Sequence, residues 1–280
     1  MKNNRALMTR LLESSYLEIV PVPGIEDRLL QLPEQAYVAI TCSPTKGVDA
    51  TLDLVETLAD RHLRLVPHIA ARMVRDRHHL QDILQRLTQS LIESVFVPGG
   101  DAPSPVGIYS GSLDLLRDMA EIGHAFKHIG VAAHPEGHPL ISESQLQQLL
   151  LEKQVYANYL VTQMCFDPAA LIHWLQKMRK AGVTLPAWLG LPGVADRARL
   201  FKLSTRIGVG QSARILLKQK GLLRRMLGIR PYRPDELLQG LAPQLGENGI
   251  GIPGFHLFSF NDIERTEQWR CDALAHYRSR

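Results

Sequence analysis

Short apolar runs recur along the chain, and between them lie longer stretches with apolar residues every three or four positions. The runs are Tyr16–Val20 (YLEIV), Tyr37–Thr41 (YVAIT), Leu63–His68 (LRLVPH), Ser94–Gly100 (SVFVPGG), His128–Ala133 (HIGVAA), Tyr159–Met164 (YLVTQM), Pro186–Leu191 (PAWLGL) and Gly254–Phe260 (GFHLFSF). They are continuous rather than alternating, as expected of strands covered on both faces in a parallel sheet. The intervening stretches read as helices. VDATLDLVETLADR sets Leu52, Val55 and Leu58 on one face, with Asp49 as its N-cap. RHHLQDILQRLTQSL, GSLDLLRDMAEIGHAF and SESQLQQLLLEKQVY behave alike. Asp167-Pro168 opens a further helix that stops at Gly182.

Eight β/α alternations predict the α/β class: a single (β/α)8 TIM barrel over residues 1–280. A short N-terminal helical extension precedes it, and a long helical insertion interrupts it at about 194–251. A doubly wound sheet is the alternative, but VPVPGIED, after the first run, lacks the G-x-G-x-x-G turn.

A length of 280 residues is ordinary for one such barrel, and 45% hydrophobic residues suffice for its core. No apolar run approaches the ~20 residues of a membrane span. The N-terminal MKNNRALMTRLLESS lacks the apolar block of a secretory signal. Cys42, Cys165 and Cys271 are widely separated and form no C-x-x-C pair. These features lead us to expect reduced thiols in a cytoplasmic protein without a membrane partner. Net charge is +4, and seven Lys or Arg fall between Arg214 and Arg233 with no acid among them. That stretch reads either as a solvated helix face or as a surface for an anionic small molecule. Aromatic residues are not interleaved with it, which argues against nucleic acid.

In a barrel, chemistry gathers where strands end. Those ends carry Glu18, Thr41, His68, Asp101, His134, Glu136, His138, Gln163, Ser259 and Asn261. Glu18 stands out because apolar residues flank it, and a carboxylate there needs a partner or a proton. His134, Glu136 and His138 are spaced by two, so an extended chain would point them the same way. They suit either a metal site joined by His68 or a rigid ligand-binding loop set by Pro135 and Pro139. Trp174, Trp188 and Trp269 read as packing residues, Cys42 as a small filler, and His78-His79 as a solvated helical pair.

AAHPEGHP resembles the A-Y-P-E-x-H-P motif of methylenetetrahydrofolate reductases. LEIVPVP, VAITCSP, VPHIAAR, GGDAP, LEKQVYANYLVTQMCFD, LGLPGV and FHLFSFND are similar to further strand-end motifs of that family, in the family's order. The likeness runs from Tyr16 to Asn261 and is weakest between Val194 and Gly251. It implies a TIM-barrel oxidoreductase of one-carbon metabolism. Such a flavoprotein uses FAD to relay hydride from NADH or NADPH to 5,10-methylenetetrahydrofolate, giving 5-methyltetrahydrofolate. Glu18 then matches the catalytic proton donor and Asp101 a second catalytic group. Gln163, Asp101 and Phe258 match the folate-binding set. Thr41, His68, Gly100, His134, Glu136, His138 and Lys153 match the cofactor-binding set.

The departures from the family pattern fall mostly on the flavin side. Gly99 replaces an arginine, His134 a tyrosine, Leu146 a ribose-binding aspartate, and Asp262 an arginine. Either new contacts hold FAD, or FAD is lost and a nicotinamide gives hydride directly to folate. Two other readings stay open: a non-reducing folate-binding or methyl-transfer barrel, and a metal-dependent hydrolase on His68, His134 and His138. The expected partner is a folate, with a homo-oligomer compatible. Arg224 and Arg225, in the basic stretch, are expected to assist its anionic tail or the nicotinamide phosphates.

Overall fold

The computed structural model describes residues 2–197, 200, 231–245 and 251–279. Eight strands are present: β1 (Tyr16–Ile19), β2 (Tyr37–Ile40), β3 (Arg64–Pro67), β4 (Ser94–Val97), β5 (His128–Ala133), β6 (Tyr159–Thr162), β7 (Ala187–Pro192) and β8 (Phe255–Phe258). They pair in parallel in the order β3-β2-β1-β8-β7-β6-β5-β4. A parallel bridge from His68 to Phe96 joins the two ends of that order and closes the barrel. Nine helices flank it among the described residues: α1 (Lys2–Glu13), α2 (Ile25–Arg28), α3 (Asp49–Leu58), α4 (Arg77–Gln89), α5 (Ser112–Ile122), α6 (Glu143–Lys153), α7 (Pro168–Lys180), α8 (Asp235–Leu245) and α9 (Ile263–Arg278). The fold is the (β/α)8 barrel that the alternation predicts.

The continuous apolar runs are explained by two separate cores. Outward residues such as Leu17, Ile19, Val38, Ile40, Val95 and Leu257 pack against the helices. Inward residues Tyr16, Ala39, Val66, Phe96, Tyr159 and Val161 fill the barrel. Room for Tyr159 comes from the neighbouring strand, because a Cβ on Gly130 would lie 2.3 Å from the Tyr159 ring.

Helix starts follow the local chemistry. Asp167 accepts hydrogen bonds from the Ala169 and Ala170 N–H groups ahead of Pro168, and Ser142 and Gln145 form a reciprocal capping box. Two expectations need correcting. Asp49 is the first helical residue of α3, and Val48 holds the cap position. His79 is buried, its Nδ1 accepting the Arg75 N–H at 3.1 Å, rather than solvated.

The seams are uneven. β3 and β4 meet only at their upper ends, where Ile69, Ala71 and Arg72 donate N–H bonds to the carbonyls of Phe96, Pro98 and Gly99. The β6–β7 ladder is just two residue pairs long, Leu160 with Ala187 and Val161 with Trp188. Within the β7–β8 connection, α8 is described. Arg214 to Arg230 of the basic stretch, including Arg224 and Arg225, lie outside the described residues. No described helix is long and apolar enough to cross a membrane.

The interior packing predicts that Gly130→Ala destabilises the protein by about 3 kcal/mol, since the added methyl overlaps the Tyr159 ring. Combining it with Tyr159→Leu should cost less than the sum of the two single changes in urea unfolding. Strict additivity would show that the two residues do not share this space.

Candidate functional site

Side chains on β1 alternate, so Tyr16 and Glu18 face inward while Leu17 and Ile19 face the helices. Glu18 Oε2 lies 2.8 Å from Nε2 of His256, an inward residue of the adjacent β8. The His256 side chain is only 3% exposed while that of Glu18 is 17% exposed, so the imidazole is sealed and the carboxyl looks out of the mouth. His68 sits beside them. One nitrogen of each histidine and one Glu18 oxygen lie within 4.8 Å of one another. Burial, then the nearby His256, holds the His68 pKa well below the usual imidazole range, so it is neutral. Its buried Nε2 has no partner among the described residues, and neither does the buried Thr41 Oγ1.

The chain leaving β8 fixes Glu18 from behind. Ser259 Oγ donates to the Glu18 carbonyl at 2.5 Å. Asn261 Oδ1 accepts the Val20 N–H at 2.7 Å, and its Nδ2 donates to the Val20 carbonyl at 2.9 Å. The asparagine side chain thereby stands in for a strand neighbour. Phe260 (φ 52°) and Asn261 (φ 62°) both adopt the left-handed conformation to allow this, a strain of the kind that collects at functional sites. Ser259 and Asn261, expected at the rim, are therefore clamps on the β1 backbone.

Across the mouth, the Gln163 N–H bonds to the Ala133 carbonyl at 2.7 Å. Its side-chain Oε1 accepts the Met164 N–H at 2.8 Å, which leaves the NH2 group as the free end of the amide. Phe258 is half-buried at the C-terminal end of β8, opposite Glu18 in register, its ring centroid 4.9 Å from that of His256. Asp101 is exposed on the loop after β4, next to Gly100 at φ 95°. Its charge acts on His138, opposing the dominant effect of burial, which lowers that pKa.

The 134–138 stretch is not extended, so the expectation of three aligned side chains is corrected. Gly137, at φ 84°, donates to the His134 carbonyl at 3.1 Å and folds Pro135 and Glu136 into a turn. His134 and His138 meet edge to face at 5.2 Å. Burial, aided by His138 and Lys153, pushes the His134 pKa down to about 4. Burial lowers Lys153 to about 8. His134, Leu146 and Lys153 line a cavity of about 30 Å³, room for a water molecule. Among the described residues the one group of three possible metal ligands is Glu18, His68 and His256. The set His68, His134 and His138 is thus not assembled as a metal centre.

The sequence model of the methylenetetrahydrofolate reductase family matches residues 26–268. The chain belongs to the methylenetetrahydrofolate reductase family. A Caenorhabditis elegans protein named probable methylenetetrahydrofolate reductase (NADPH) is 23% identical over 257 residues, covering 86% of this chain and 38% of that protein. Methylenetetrahydrofolate reductase 2 of Saccharomyces cerevisiae is 28% identical over 135 residues, 44% of this chain and 22% of that protein. Methylenetetrahydrofolate reductase 1 of Schizosaccharomyces pombe is 39% identical over 66 residues, 22% of this chain and 11% of that protein. The chain thus spans well under half the length of these relatives.

Family membership makes the fit of a flavin dinucleotide a specific question. Arg72 lies beside the Gly99-Gly100 turn, its N–H donating to the Gly99 carbonyl at 2.9 Å, yet its fork is spent on the chain itself. It donates to the carbonyls of Ala102, Pro103 and Ser110 at 2.8–3.1 Å. Val106 and Ile108 donate to the Arg72 and Arg75 carbonyls, and a Cβ on Gly107 would meet the Arg75 carbonyl oxygen at 1.8 Å. The loop after β4 is therefore zipped onto the loop after β3. Leu146 and Lys153, both on α6, line the water-sized cavity next to His134. Of the residues that the family resemblance assigns to the cofactor, Thr41 and His68 keep buried polar atoms, Oγ1 and Nε2, without a partner among the described residues.

The two depressed pKa values predict opposite limbs of a stability profile. Between pH 6.5 and about 4 the unfolded chain takes up a proton that folded His134 refuses, so stability falls as pH falls through that window. His134→Gln should flatten this limb by about 2–3 kcal/mol. Between about 8 and 10.5 the unfolded chain holds the Lys153 proton that the fold sheds, so stability rises with pH there, and Lys153→Met should remove the rise. Urea unfolding across pH reads both, and unaltered limbs in the variants would refute the assignments.

Proposed function

We propose that this protein is a methylenetetrahydrofolate reductase in which a reduced nicotinamide passes hydride directly to 5,10-methylenetetrahydrofolate, without a flavin relay. The observation that carries the reading is Glu18, a carboxyl at the floor of the mouth with Oε2 engaged by His256 and Oε1 without a partner among the described residues. The methylene bridge must open before it accepts hydride. Protonation at N10 by Glu18 breaks the carbon–N10 bond and leaves an iminium between that carbon and N5. Hydride from the nicotinamide adds to the iminium carbon, the π pair moves to N5, and the nicotinamide is oxidised. With its proton on Nε2, His256 donates to the acid and more strongly to the carboxylate, so the contact outlasts the proton transfer. The free amide NH2 of Gln163 and the half-buried Phe258 ring supply one polar and one apolar contact for a pterin. Asp101 adds negative charge on the same rim, favouring the cationic iminium.

The direct route rests on the flavin side of the mouth. Gly99, His134 and Leu146 stand where the family pattern implies an arginine, a tyrosine and an aspartate, and the loop after β4 is zipped onto the loop after β3. Thr41 Oγ1 and His68 Nε2 are then buried polar atoms available to a ligand in the mouth.

The test is oxidation of NADH and NADPH with methylenetetrahydrofolate as acceptor, with and without added FAD. Wild type should turn over at the same rate in both, and the purified protein should carry no flavin absorbance. Glu18→Gln should lower kcat by about 10²–10⁴-fold. Turnover only after FAD addition would overturn the direct route. Equal rates in wild type and Glu18→Gln would overturn the acid and favour a folate-binding or methyl-transfer role.

A further inference from the structure

The opposite end of the barrel holds a second, larger space. TIM-barrel interiors are normally packed shut, yet a cavity of about 660 Å³ opens among the N-terminal strand ends. Its cause lies in the β3–β4 seam. Ile69 N–H bonds to Phe96, so alternate residues of β3 direct their backbone groups at β4, and at Pro67 that direction carries no N–H. Below it the strands part. Leu65 and Val66 on one side and Ser90 to Ser94 on the other line the gap, and the structure gives Leu65 no backbone partner across it.

The walls are specific in chemistry. Tyr16, Tyr37, Tyr159 and Trp188 form a connected aromatic set, with ring centroids 4.8 Å apart for Tyr16–Tyr37 and 5.0 Å for Tyr159–Trp188. Arg64 stands at the opening with its guanidinium 5.1 Å from the Tyr37 ring centroid. Its Nε and Nη1 donate to Gln35 and Tyr37, which holds the fork still and leaves Nη2 without a partner among the described residues. Two rim residues are also unusual. Gln35 (φ 62°) and Leu91 (φ 56°) are left-handed non-glycine residues, and the other two among the described residues, Phe260 and Asn261, lie at the Glu18 mouth. Leu91 occupies a helix-end position that favours glycine and is 85% exposed at the rim. A strained backbone that presents a large apolar side chain to solvent is better suited to contact than to folding.

We propose that this lower cavity is a second ligand site, separate from the Glu18 mouth, that takes a small planar aromatic anion. The ring system lies against Tyr37 and Trp188, and the anionic group meets the poised Arg64 and the Leu65 N–H. The volume is in the range of small-molecule sites, and a fixed guanidinium selects an anion over its neutral isostere.

Calorimetric titration of the full chain with 2-naphthoate and with the neutral 2-naphthamide tests this. Naphthoate should bind more tightly than the amide, and saturating methylenetetrahydrofolate should not displace it. Arg64→Gln should weaken naphthoate about fivefold while leaving the amide unchanged. Trp188→Leu should weaken both about tenfold. Leu91→Gly relieves the strained backbone, so it should raise the unfolding midpoint while weakening naphthoate, which keeps the test sound if the tryptophan variant folds poorly. Equal affinity for acid and amide, displacement by the folate, or binding indifferent to Arg64 and Leu91 would each overturn the proposal.

Discussion

A carboxyl group turned into the inside of a parallel barrel is tolerable only if something there meets it, and the contact between Glu18 and His256 does so. The two residues come from the first and last strands, so the contact forms only when the chain has closed on itself. Ser259 and Asn261 reinforce the same seam by gripping the β1 backbone on either side of the acid's exit. Closure of the fold and placement of the acid are one event. A change that loosened β8 would misplace the acid before it unfolded the barrel.

The mouth around that acid is divided in character. The β1–β8 side and the Gln163 edge keep free polar ends. On the β3–β4 side the chain binds itself: Arg72 bonds to its own chain and Gly107 lies flat against Arg75. On the direct-transfer reading, the proton chemistry of the mouth is kept while the flavin contacts of the family pattern are not.

Much of this was legible in the residues. Continuous apolar runs such as HIGVAA marked strands because both faces are covered, and Asp167-Pro168 marked a helix start because cap and proline act locally. Glu18 was visible as a charge out of place. His256 was not, because a histidine within GFHLFSF reads as one polar residue in an apolar strand. Only the β1–β8 register, which sets Tyr16 opposite His256, brings it beneath the acid. The alternation of inward positions on both strands was the available signal. The turn at Pro135-Glu136 was missed because spacing by two was taken to mean an extended chain, while Gly137 with its positive φ allowed a reversal. His79 was misplaced because α4 buries it through a bond to the Arg75 backbone, a contact that helical periodicity does not reveal.

The short β6–β7 ladder and the high latch between β3 and β4 divide the wall into two arcs. One arc, β7 through β8, β1 and β2 to β3, carries Glu18, Thr41, His68 and His256. The other, β4 to β6 with the turns that follow, carries Asp101, His134 and Gln163. A ligand held by Glu18 and Gln163 together spans from one arc to the other, like the keystone of a vault, and completes the architecture in the act of being bound.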